Sequence, residues 1–155
     1  MVVNPRPQAH GCVAAVAAGT DHAAQCLMKW KTLKKDLDEA RERKQLRARI
    51  QRLLAKWQPI LGVYIDDWDL RKMKLYWGSS RSPGCDMIAC KPGHITFNTE
   101  MAKLPPRYQE YLVVHELVHQ ITDGHDARFY ALMDRHVPGW RAMQSRIEQP
   151  LTQYS

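Results

Sequence analysis

One long helix, or two with a break near Arg43, then a stretch of short strands and two further helices, in that order, place this chain in the α+β class. Three observations carry the prediction. Apolar residues recur at helical spacing from Trp30 to about Gln58, short β-branched and aromatic runs bounded by Gly and Pro fill the middle, and helical spacing returns after Pro105. The length of 155 residues suits a single core. No apolar run approaches the ~20 residues of a membrane span, so no membrane contact is expected.

Residues 1–28 are small and polar, carry Pro5 and Pro7 and show no period, so they read as a disordered leader. The alanine-rich run Cys12–Ala18 is at the short limit for a secretory signal, and none is expected. Residues 29–58 form a basic amphipathic helix, with Leu33, Leu37, Leu46, Ile50, Leu53, Leu54 and Trp57 at helical spacing and Pro59 expected to end it. The main domain is then 59–150. Its expected strands are Val63–Ile65, Met73–Trp77 and His94–Asn98, the last offering a free edge to an extended peptide. A turn-rich stretch separates the last two. Pro105 and Pro106 open a helix from Arg107 to about Ile121, closed by Gly124, and a second runs from Asp126 to Val137 with Phe129, Leu132 and Met133 inward.

Between Lys29 and Lys56 stand eleven basic and four acidic residues, which carry the whole net charge of +7. The rest of the chain is neutral. A polyanion contact, nucleic acid above all, is therefore an expectation for residues 29–56 alone. Four cysteines, Cys12, Cys26, Cys85 and Cys90, make no disulfide framework, and the expected setting is a reducing cytoplasm.

The chemistry concentrates in His115-Glu116-Leu117-Val118-His119 on the first C-terminal helix. Four residues advance a helix by about 400°, so the two imidazoles stand one above the other while Glu116 lies about 100° round. Two neutral imidazoles so placed can share one Zn²⁺, and the carboxylate can reach a water on it without ligating. Given 7 His and 6 Glu, such a motif has chance odds of roughly one in a hundred. His125, six residues on, lowers them to roughly one in two thousand. Gly124 is expected to supply a positive φ that turns the chain back over the helix. Three histidines leave a fourth tetrahedral position open, as catalytic zinc sites do. Tyr108, Tyr111, Tyr130 and His136 are available as a second donor to a developing oxyanion.

Beyond this motif, Met73-Lys74-Leu75-Tyr76-Trp77-Gly78-Ser79-Ser80, Ile95-Thr96-Phe97-Asn98, Leu104-Pro105-Pro106, Gly124-His125, Arg128-Phe129-Tyr130 and Pro138-Gly139-Trp140 complete a pattern. It resembles the YgjP-like zinc metallopeptidases, related to the SprT- and Wss1-type proteases. Tyr76 and Ser80 stand where that family usually has Arg and Cys. The resemblance implies a minimal zincin fold, Zn²⁺ on His115, His119 and His125, Glu116 as catalytic base, and a protein or peptide substrate. Two rival readings of the same residues are a nucleic-acid-binding module with a structural metal and a catalytically silent scaffold.

Overall fold

The computed structural model describes residues 20–80, 93–122 and 124–147. The chain divides into two units, Met1–Asp38 and Glu39–Ser155. Its elements are α1 (Thr20–Leu61), β1 (Asp67–Arg71), β2 (Gly78–Ser80), β3 (His94–Asn98), a 3-10 helix (Thr99–Lys103), α2 (Pro106–Val118), α3 (Ala127–His136) and α4 (Trp140–Ile147). The α+β expectation holds, with four α-helices and a three-stranded mixed sheet among the described residues. No described helix is long and apolar enough to cross a membrane.

In the second unit α2 lies at the centre. Leu112, Val113, Val114, Leu117 and Val118 are all buried and cover most of its circumference, leaving one face to His115 and Glu116. Around it pack Ile95 and Phe97 of β3, Phe129 and Met133 of α3, and Trp140, Met143 and Ile147 of α4. Leu46, Ile50, Leu54 and Trp57 of α1 repeat every three or four residues and are buried in the same core, each contributing roughly 1.5–3 kcal/mol. Polar contacts hold this part of α1 as well. Arg43 Nη2 donates to the Leu70 carbonyl at 3.1 Å, Arg47 lies 4.9 Å above the Trp68 ring, and Lys56 and Trp57 both bond the Glu110 carboxylate. Three of the eleven basic residues thus serve the fold.

The sheet order is β1-β3-β2, with β1 parallel and β2 antiparallel to β3. Several expectations change here. β3 is the central strand, so His94–Asn98 has no free edge, and the edge next to α2 belongs to β2. Val63–Ile65 and Met73–Trp77 are not strands: Val63, Ile65 and Trp77 pack at the margin of the core while Tyr64, Leu75 and Tyr76 are exposed, and neither run forms a ladder with a described strand. The strand lies instead in Asp67–Arg71, whose alternation is masked by charge. Leu70 is buried and Trp68 half-buried, while Arg71 bonds Asp69 at 2.7 Å on the other face.

Helix ends also shift. Pro59 does not stop α1, since in the last turn it forfeits a single backbone bond; Gly62, at φ 68°, ends the helix two residues after Ile60. The expected leader falls partly at residues 1–19, outside the described residues, and Thr20–Met28 is helical. Cys12, Cys85 and Cys90 also lie outside them. The 3-10 helix and α4 escaped the sequence reading, being too short to show a period.

Candidate metal centre

All three sequence-predicted histidines converge. Their Nε2 atoms lie 3.2 Å (His115 to His119), 3.3 Å (His115 to His125) and 3.2 Å (His119 to His125) apart. A tetrahedron with metal–nitrogen bonds of 2.0–2.1 Å has edges of about 3.3–3.4 Å, so one zinc-sized ion fits the triangle. The three are the one group of at least three candidate ligands that the described residues bring together.

α2 supplies the first two histidines one turn apart, His119 at its C-terminal cap. The turn that returns His125 differs from expectation. Gly124 has no positive φ, and a side chain there would meet nothing within 4 Å. Hydrogen bonds make the turn instead: Gln120 N to Leu117 O, Ile121 N to Val118 O, and Thr122 Oγ1 to both Val118 O and Gly124 O. Asp126 then caps α3 by accepting from Phe129 N at 2.7 Å, which fixes the chain beside His125. Phe129 forms the apolar floor, its ring centroid 4.5–5.0 Å from each imidazole. Sequence spacing placed Phe129 inward on its helix but could not show what it faces.

Burial, followed by the neighbouring His119 and His125, holds the His115 imidazole down to about 3. His119 is lowered too, first by burial and then by His125, against an opposing hydrogen bond to the Thr122 backbone. Both are therefore neutral at physiological pH, the form that ligates metal. His115 Nδ1 is buried without a hydrogen-bond partner among the described residues. Burying that imidazole costs free energy that a bond at Nε2 would offset.

Glu116 is almost wholly buried and hydrogen-bonds to no described residue, and burial alone pushes its carboxyl up to about 8. It lines the same cleft of about 340 Å³ as His115 and His119, with Tyr76, Ser79, Ser80 and Thr122. The residue that seats it is Gly78. A Cβ on Gly78 would lie 2.6 Å from Cδ and 2.7 Å from Cγ of Glu116, and nearer still to Oε1. Buried Asn98 secures the approach to Gly78 by donating to the Met73 and Tyr76 carbonyls at 2.8 Å each and accepting from Glu100 N at 3.1 Å. Trp77-Gly78-Ser79 belongs to the family pattern in the sequence, but this contact pairs residues 38 positions apart and leaves no local signal.

Gly78→Ala is expected to destabilise the metal-free chain by about 1–3 kcal/mol, the usual cost of overpacking. In a Glu116→Ala background, which deletes the obstructing atoms, that loss should vanish. Thermal melts of the four proteins decide it, since an equal loss in both backgrounds would place the strain elsewhere on β2.

Of the four side chains expected as second donors, two come near the histidines. The Tyr130 ring is partly exposed and 6.5 Å from that of His125, whereas buried Tyr111 packs edge-on against His115 at 5.8 Å. His136 packs against Trp57 instead, and Tyr108 lies at the margin of the core.

A family model described as YgjP-like, metallopeptidase domain, matches residues 20–149. The fold is similar to the crystal structure of the metallopeptidase zymogen of Pyrococcus abyssi abylysin, at a TM-score of 0.50 and 22% identity over 63% of this chain and 90% of that one. No curated protein matches the sequence.

Proposed function

The chain belongs to the YgjP-like metallopeptidase family, and from that premise we propose that it is a zinc-dependent peptidase whose ligands are His115, His119 and His125 and whose general base is Glu116. The observation that carries this reading is the triangle of Nε2 atoms opening on the cleft where a buried carboxylate has no hydrogen-bond partner among the described residues. When bound there, zinc would supply Lewis acidity, lowering the pKa of a water to about 7 and polarising a carbonyl.

The chain's own residues would do the rest. Glu116 accepts the proton of the attacking water and returns it to the departing amine. Gly78 and Asn98 hold β2 close enough to keep that carboxylate in place. β2 is the sheet edge beside the cleft among the described residues, so an extended peptide can pair with it through backbone hydrogen bonds. Tyr130, the more exposed of the two tyrosines near the histidines, is the second donor for the developing oxyanion. Four cysteines that make no disulfide framework suit a cytoplasmic setting.

The test is cleavage of an unfolded protein by the zinc-loaded chain, followed by mass spectrometry of the products. Cleavage should stop when a chelator strips the metal and resume when zinc is restored. Cleavage that survives complete removal of metal would refute the reading.

A further inference from the structure

The first unit, described from Thr20 to Asp38, is the N-terminal stretch of α1, and it exposes large apolar side chains in a row. Leu27, Trp30, Leu33 and Leu37 are each more than half exposed. Cys26, Trp30, Leu33 and Leu37 follow a 4-3-4 spacing, which alternates the d and a positions of a heptad and confines them to a stripe about 60° wide. Lys31, Lys35 and Asp38 fall outside it. Such a stripe on a surface helix calls for a cover.

The flanking charges identify one. With Trp30 and Leu37 at a, Lys29 and Asp36 occupy g, and Leu27 and Lys34 occupy e. In a parallel pair the g residue Lys29 would meet Lys34 of the other helix, like against like. In an antiparallel pair g faces g, so Lys29 meets Asp36 twice when Trp30 packs on Leu33 and Leu37 on Cys26. The e positions then bring Leu27 beneath the aliphatic stem of Lys34. We propose that this face is the interface of an antiparallel helix pair formed by two copies of the chain.

Light scattering on the full-length protein across a concentration series tests it. A dimer in exchange with monomer is expected, and Trp30→Glu with Leu33→Glu should leave monomer alone while helix content and zinc retention stay unchanged. Lys29→Asp should weaken the dimer about tenfold, two exposed ion pairs having turned repulsive, and adding Asp36→Lys should restore it. A strengthened dimer in Lys29→Asp would indicate parallel pairing and overturn the arrangement. So would a dimer indifferent to Trp30→Glu with Leu33→Glu. A chain that stays monomeric at every concentration would overturn the proposal as well. If that monomer binds duplex DNA with steep salt dependence, the segment is a polyanion contact instead.

Discussion

Glu116→Gln is expected to lower peptide-bond cleavage by ~10²- to 10⁴-fold while zinc stays bound and the melting temperature hardly moves. The substitution keeps the volume that Gly78 leaves for this side chain. It also mimics the form that the metal-free chain favours, because burial already pushes the carboxyl up to about 8 and keeps it largely protonated at neutral pH. What the variant lacks is the ability to accept a proton. Parallel measurements of turnover, zinc content and thermal melting separate the outcomes. Turnover unchanged by Glu116→Gln would eliminate the carboxylate as base, and zinc lost along with turnover would make it a ligand or a prop for one.

A second large effect is expected from His125→Ala. Removing one corner of the triangle leaves two imidazoles one helical turn apart, and zinc affinity should fall by more than the roughly 10–100-fold that loss of a ligand's supporting partner costs. His125 is exposed, so the metal-free fold should melt as before. Zinc should raise the melting temperature of the native chain and not of the variant, because an ion stabilises only the state that binds it. Metal content after dialysis against a competing chelator gives the same answer independently. Undiminished zinc in His125→Ala would refute the three-histidine assignment.

The histidine cluster was legible in the sequence because helical geometry relates His115 to His119 without help from the rest of the chain, and His125 follows within six residues. The α+β class was legible for a similar reason, since amphipathic periods of ten residues or more survive in any context. By itself the sequence thus determined α1, α2 and α3, the three histidines that converge and the placement of charge in one segment.

Only the tertiary structure decided the strands and the surroundings of Glu116. Asp67–Arg71 pairs because Leu70 and Trp68 find a core to face, which three charged neighbours conceal in the linear pattern. His94–Asn98 proved central because β1 and β2 take both its edges, and strand order follows from contacts far apart in sequence. His125 is held beside His115 and His119 without a left-handed glycine, by hydrogen bonds from Gln120, Ile121 and Thr122 that no residue pattern announces. The space for Glu116 exists because Gly78, on another element, lacks a side chain. Steric exclusion between distant segments leaves no local period, and so it becomes visible only when the chain is folded.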